Sequence, residues 1–146
     1  MTAQSSNDAL QELADRLRAE DTPIAPHVID PAEPSQLGEL AGRGEYALVV
    51  EAVREGYLLH YEEPRLLAGH DPDLALLAGD YLYALGLDRL AALEDTRAVA
   101  ILSDLISTCA RLQAEGGREV IPDLWRQAAR HIASGGTGGR HKSGSL

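Results

Sequence analysis

The amino-acid sequence predicts an all-α protein, organised as a single orthogonal bundle of about five to six helices. Its apolar residues are mostly leucine and alanine, which favour helix, and phenylalanine is absent. β-branched residues nowhere alternate with polar ones in the two-residue period of a strand. With 146 residues, the chain has the usual length of one domain with its own core.

Charge and composition exclude several classes of protein. A net charge of −10 would be repelled by nucleic acid and by an anionic membrane surface. The longest apolar stretch, residues 74–87, is interrupted by Gly79 and Asp80, so no membrane span is expected. Cys109 is the only cysteine, which rules out an intrachain disulfide and fits a reducing compartment. We therefore expect a cytoplasmic protein without a nucleic-acid partner.

The chain is predicted to have three parts. Residues 1–34 contain an amphipathic helix over 6–20 and then an extended strap over 22–34, where four prolines exclude helix. Residues 35–133 form the main helical domain. Residues 134–146 are rich in glycine and serine and are expected to be a flexible tail. The buried face of the first helix is predicted to consist of Leu10, Leu13, Ala14 and Leu17.

A helix is predicted from about residue 45 to residue 63, before Pro64. Tyr57 and His60 recur on its apolar face at helical spacing. The charged side chains of Glu51, Arg54 and Glu55 are expected to lie largely off that face.

The next helix, over residues 74–93, is the most apolar element. Asp71 and Pro72 are a strong start signal, since aspartate caps a helix and proline suits its first position. Leucine or tyrosine lies on nearly every side of this helix, so we expect it to be central or to lie at an interface. Three further helices are predicted. One lies near Leu37 and Leu40, one runs from Asp95 or Thr96 to Gly116, and the last begins near Pro122.

Asp73, Asp80 and Asp88 share one narrow stripe of this apolar helix. Two interpretations of Asp80 are open: it faces water or a partner along that stripe, or it is buried and paired with an arginine. Gly79 has no side chain and is expected to let another helix approach closely, despite its low helix propensity. Both residues are therefore predicted to have structural roles.

Few residues of the sequence suggest catalysis or metal binding. His60 lies between Tyr57 and Tyr61, so a hydrogen-bonded core histidine is favoured over a base or metal ligand. Glu62 and Glu63 are adjacent in sequence and do not share a helix face, which disfavours magnesium. We predict no metal and no cofactor, with magnesium only if Glu62 retained a role.

Residues 74–84 and 90–98 resemble the trans-isoprenyl (polyprenyl) diphosphate synthases, which carry an L-L-x-G-D-x-L-x-A helix followed by an acidic connection and a further helix. Leu58-Leu59-His60 stands where that family has the L-x-H before its first D-D-x-x-D motif. The resemblance covers residues 45–116 and implies part of the isoprenoid synthase fold.

The same alignment implies that the catalytic site is degenerate. The first aspartate-rich motif is replaced by Tyr61, Glu62, Glu63, Pro64 and Arg65, so Glu62 alone keeps an acid at an aspartate position. Two such motifs are needed to hold magnesium ions on the allylic diphosphate. The second motif has no counterpart, and the basic stretch that holds isopentenyl diphosphate is reduced to Arg43. The resemblance therefore implies no catalytic residue and no turnover by this chain alone.

Three functions follow as expectations. The first is a non-catalytic subunit in isoprenoid biosynthesis that associates with a catalytic prenyl synthase, or with itself, through the apolar helix. The second is an isoprenoid-binding module without catalysis, whose ligand-binding residues would be Tyr57, His60, Tyr81 and Tyr83. The third is a plain helical interaction or scaffold protein.

Overall fold

The computed structural model describes residues 5–42 and 44–145. It confirms the predicted all-α class, because the described residues contain six α-helices and no strand beyond an isolated antiparallel bridge between Val28 and Leu67. The helices are α1 (Ser5–Ala19), α2 (Leu37–Ala41), α3 (Glu45–Tyr61), α4 (Pro72–Ala92), α5 (Thr96–Glu115) and α6 (Ile121–Ser145).

The predicted helix boundaries have clear physical causes. The Asp71 carboxylate accepts a hydrogen bond from the Leu74 backbone nitrogen at 2.8 Å, which caps α4. Asp95 caps α5 in the same way, through the Ala98 nitrogen at 2.9 Å. α5 ends at Gly116, whose φ of 102° is a conformation that glycine adopts without strain.

α3 is the central helix of the bundle. Twelve of its seventeen residues are buried, and they contribute to two apolar cores on different sides of the helix. One core joins α3 to α5 and α6, around Tyr57, Leu102 and Trp125. The other joins α3 to α1 and α4, around Leu10 and Leu82. The four apolar residues predicted on the inner face of α1 are all buried in that second core.

The proline-rich strap wraps the body of the protein. It contains one 3-10 turn, Ala25–His27, and buries the side chain of Ile24. Beyond the turn, the Ile29 nitrogen donates to the Leu66 carbonyl at 2.7 Å, and the Ala68 nitrogen donates to the His27 carbonyl at 3.0 Å. These bonds hold the strap against the loop that follows α3.

The apolar character of α4 predicted that it would be central or lie at an interface, and the structure shows that it is not the central helix. It packs mainly on α3, and the glycines at the contact bring the two backbones together. A Cβ atom on Gly56 would lie 2.9 Å from the Gly79 carbonyl oxygen, and one on Gly86 would lie 2.5 Å from Cγ2 of Val53. This contact buries the inner side of α4 against α3, and the opposite side, which includes Leu76 and Leu77, stays exposed.

α6 continues as helix to Ser145 and so includes most of the segment predicted as a flexible tail. The flexibility of that segment stays a prediction. Across residues 5–42 and 44–145, no helix is both long enough and apolar enough to cross a membrane.

The close contact between α3 and α4 makes a prediction about Gly56→Ala. In an unhindered helix this change should raise the free energy of unfolding by about 1 kcal/mol, because alanine is the better helix former. Here the new methyl group meets a backbone carbonyl that cannot rotate away, so we expect a loss of about 1–3 kcal/mol instead. Urea denaturation measures the difference.

Ala84→Gly, on the exposed side of α4, is the control, since it changes helix propensity without changing the contact. A gain in stability for Gly56→Ala would contradict the close approach.

Candidate functional site

The four residues predicted to bind a ligand do not form one surface. His60 and Tyr83 meet where α3 and α4 cross, with ring centroids 5.2 Å apart, whereas the Tyr57 ring packs against Tyr61 and Trp125. Tyr81 lies on a different face of α4, where its hydroxyl donates to the Glu20 carboxylate just beyond α1. A single tunnel lined by all the predicted tyrosines is therefore not present in the described residues.

Tyr57 is a core residue. Its side chain is fully buried, with ring centroids 5.0 Å from Tyr61 and 5.6 Å from Trp125. Its hydroxyl accepts a hydrogen bond from Nε2 of Gln113 at 2.6 Å. Burial raises the pKa of this phenol above its ordinary value. Tyr57 thus joins α3 to α5 and α6.

His60 covers Gly79 and reaches Asp80. A Cβ atom at Gly79 would lie 2.6 Å from His60 Nε2, so the ring occupies the space that the glycine leaves. The same nitrogen lies 3.1 Å from Oδ1 of Asp80. The Asp80 side chain is 77% exposed, which makes the interpretation of a buried aspartate paired with an arginine wrong. Tyr83 packs beside this pair, and burial raises the pKa of its phenol.

Asp80 belongs to an exposed stripe along α4. All members of this stripe face away from the bundle, and two of them are leucines that are more than half exposed. We call it the α4 outer stripe; it consists of Asp73, Leu76, Leu77, Asp80, Ala84, Asp88 and Ala91.

The residues of the degenerate motif have separate structural positions. Tyr61, at the end of α3, is 42% exposed. Glu62 is exposed and accepts a hydrogen bond from Gln113 at 3.1 Å. Arg65 turns back onto α3. Arg43, which the resemblance related to the basic diphosphate-binding stretch, lies outside the described residues.

Arg65 is the cation of a polar network inside the bundle. It pairs with two glutamates of α3 whose side chains are 0% exposed: its Nη1 lies 2.9 Å from Oε1 of Glu51, and its Nε lies 2.8 Å from Oε1 of Glu55. We call these three residues the buried carboxylate cluster. The expectation that Glu51 and Glu55 lie off the buried face of α3 is therefore wrong.

Backbone and hydroxyl donors complete the cluster. Oε2 of Glu51 accepts from Ser35 Oγ at 2.6 Å and from the Gly38 nitrogen at 2.9 Å. Oε2 of Glu55 accepts from the nitrogens of Arg65 and Leu66 at 2.7 and 2.8 Å. Each carboxylate thus receives three hydrogen bonds, which offsets the cost of removing it from water.

A sequence signal for this cluster exists. Apolar residues cover nearly every side of α3, so Glu51 and Glu55, four positions apart, had no water-facing side to occupy. A buried carboxylate needs a cation or several donors, and Arg65 is close along the chain.

A cleft of about 760 Å³ lies beside this cluster. Its walls come from the end of the strap, α2, the loop after α3 and the first turns of α6. Arg54 of α3 lines it, with its guanidinium carbon 5.1 Å from the ring centroid of Trp125. Burial lowers the pKa of Arg54, and the neighbouring charge of Arg65 lowers it further.

No metal site is formed by the part of the chain that the structure describes, where no three His, Cys, Asp or Glu side chains come together. Comparison of the chain with protein-family models, curated proteins and solved structures finds no match in any of the three. The resemblance to the trans-isoprenyl diphosphate synthases therefore depends on the motifs of residues 45–116.

The buried carboxylate cluster predicts a large effect of Arg65→Met. Two buried carboxylates would lose the cation that pairs with them, and breaking a buried ion pair in this way costs about 3–5 kcal/mol. We expect that loss in the free energy of unfolding by urea denaturation. Arg111→Met is the matched control, because Arg111 is exposed on α5 and should change stability by less than about 0.5 kcal/mol. Equal losses for the two variants would contradict the cluster.

The bond between Tyr81 and Glu20 predicts a pH dependence. The hydrogen bond to Glu20, and then burial, raise the pKa of Tyr81 to about 12. A phenol with a raised pKa stabilises the fold below its ordinary pKa of 10.0, and this contribution disappears as pH rises through about 12. The stability difference between the wild type and Tyr81→Phe should therefore shrink across this range.

Phenolate absorbance of the wild type minus that of Tyr81→Phe gives the titration of Tyr81 itself. In Glu20→Gln, where the acceptor is uncharged, this titration should move back toward lower pH. An unchanged titration would mean that Glu20 does not set the pKa of Tyr81.

Proposed function

We propose that this chain is a non-catalytic helical subunit that binds a partner protein through the α4 outer stripe, and that the partner is a catalytic prenyl diphosphate synthase. The observation that carries the proposal is the exposure of two adjacent leucines, Leu76 at 57% and Leu77 at 51%. Exposed apolar residues clustered on one helix are typical of a surface that another protein covers.

The packing of α4 explains why this surface stays open. Gly79 and Gly86 face α3, so the inner side of α4 already has its neighbour. The leucines lie on the opposite side. An apolar surface that cannot be buried within the chain gains free energy only by association, roughly 25 cal/mol for each Å² removed from water.

Charge favours a different protein over a second copy of this chain. Asp73, Asp80 and Asp88 are exposed beside the two leucines, and the whole chain carries −10. Two copies meeting through this stripe would bring like charges together, which costs binding energy. A partner with an apolar groove flanked by lysine or arginine would be complementary.

The arrangement of the polar residues supports a role without catalysis. Arg65 is engaged by the buried carboxylate cluster and His60 by Asp80. These side chains stabilise the fold and are not arranged around a common reacting position. The choice of a prenyl synthase as partner comes from the resemblance of residues 45–116 to that family.

Co-expression with a full-length prenyl diphosphate synthase from the same organism tests the proposal. We expect a complex containing both chains in size-exclusion chromatography with light scattering. Leu76→Glu combined with Leu77→Glu should abolish it, because both positions are exposed and new charges there would be buried on binding. The double variant should keep the helical circular dichroism of the wild type.

Val120→Glu is the matched control, since Val120 is an apolar residue 46% exposed between α5 and α6. It should leave the complex intact. A complex that survives the double leucine variant would refute the α4 outer stripe as the interface. A dimer of this chain alone, with no synthase complex, would refute the choice of partner.

A further inference from the structure

We propose that the cleft beside Arg54 binds a small organic oxyanion, a carboxylate or phosphate group attached to an apolar body. The cleft volume of about 760 Å³ lies within the range of roughly 300–1,000 Å³ found for ligand pockets. This inference does not depend on the proposed partner, because no residue of the α4 outer stripe lines the cleft.

Three arginines line the cleft. These are Arg54, Arg65 and Arg126, and Glu33 is the acidic residue among the described lining residues. The carboxylates of Glu51 and Glu55 neutralise Arg65. The charge available to an anion in this cleft therefore comes mainly from Arg54.

The three arginines differ in how far they are already engaged. Arg65 is bound by Glu51 and Glu55. Arg126 makes one long contact of 3.4 Å to Asp123, and about half of its side chain is exposed. Arg54 has no ion pair with any described residue, and its Nη1 is buried without a hydrogen-bond partner there.

The environment of Arg54 favours an anionic ligand. A guanidinium removed from water without a carboxylate costs free energy, and burial correspondingly lowers the pKa of Arg54. The negative charge of Glu62 raises the pKa of Arg54, but Glu62 does not form an ion pair with it. An oxyanion bound against this guanidinium would supply the missing charge through charge-assisted hydrogen bonds, which arginine can make in pairs.

The apolar residues that line the cleft suit the apolar body of the ligand. Pro34, Leu37 and Leu40 also line it, and Trp125 lies beneath Arg54. Ser35 is engaged by Glu51, so its hydroxyl holds the wall in place. A ligand with one anionic group and one apolar group would match both kinds of lining residue.

Ligand binding in the cleft can be measured through the fluorescence of Trp125. It is the only tryptophan in the chain and contacts Arg54, so a ligand that engages Arg54 changes the surroundings of the one indole. Purified full-length chain would be titrated with phenyl phosphate and with phenylacetate at constant ionic strength, with benzyl alcohol as the uncharged probe. We expect a saturable change in tryptophan fluorescence with at least one anion and none with the alcohol.

Variants link binding to the cleft. Arg54→Gln should weaken the anion affinity by at least about tenfold, the size expected for one charge-assisted interaction. Arg126→Gln, at a half-exposed position, should weaken the anion affinity by a smaller factor. If Arg54→Gln fails to fold, the affinity of Arg126→Gln tests whether the anion binds in the cleft. Arg111→Gln on α5 is the matched control and should leave the affinity unchanged.

The outcomes separate the two possible anions. Saturation by phenyl phosphate alone supports a phosphate ligand, and saturation by phenylacetate alone supports a carboxylate ligand. No saturable change with either anion at millimolar concentration would overturn the proposal. Equal binding of benzyl alcohol, or unchanged affinity in folded Arg54→Gln and Arg126→Gln, would also overturn it.

Discussion

Two fully buried carboxylates hold the segments around α3 in position. Glu51 accepts hydrogen bonds from Ser35 and Gly38, where the strap leads into α2. Glu55 accepts from Arg65 and Leu66, in the loop after α3. Each bond satisfies a charge that would otherwise be unpaired in an apolar interior. Because the cleft lies between these same segments, its walls depend on the buried carboxylate cluster, and Arg54 enters it from the same helix.

A second constraint acts on α4. Gly56 of α3 and Gly79 of α4 place the two backbones so close that side chains at either position would collide. This contact buries the inner side of α4. Leu76 and Leu77 lie on the opposite side and are more than half exposed. The α4 outer stripe is therefore a consequence of how α4 packs, rather than an accident of composition.

Local signals in the sequence were enough to predict most of the fold. The Asp71 and Asp95 caps and the glycine after α5 fixed helix boundaries through interactions among neighbouring residues. The position of α4 could not be predicted in this way, because an all-round apolar helix fits the centre of a bundle or an interface equally well. Glycines at one contact decided between the two, and their effect depends on which helix lies opposite.

The candidate site was predicted less well, because it depends on contacts between distant parts of the chain. His60 and Tyr83 do meet, but Tyr57 packs against Trp125 and Tyr81 bonds to Glu20, sixty-one positions away. The cleft is formed by residues from the strap, α2, α3 and α6, and no short motif brings these together. The sequence pattern predicts Arg54 to be a surface residue of an acidic chain.

The segment 61–65 links the sequence resemblance to the structure. Arg65 stands where the resembling family has the last aspartate of its first metal-binding motif, and here it is the counter-ion of Glu51 and Glu55. An aspartate at that position would add a third negative charge beside two buried carboxylates, at a large cost in stability. The acidic motif and the buried carboxylate cluster thus exclude each other at residue 65. A chain that depends on the buried carboxylate cluster for its fold therefore cannot place a metal-binding aspartate at this position.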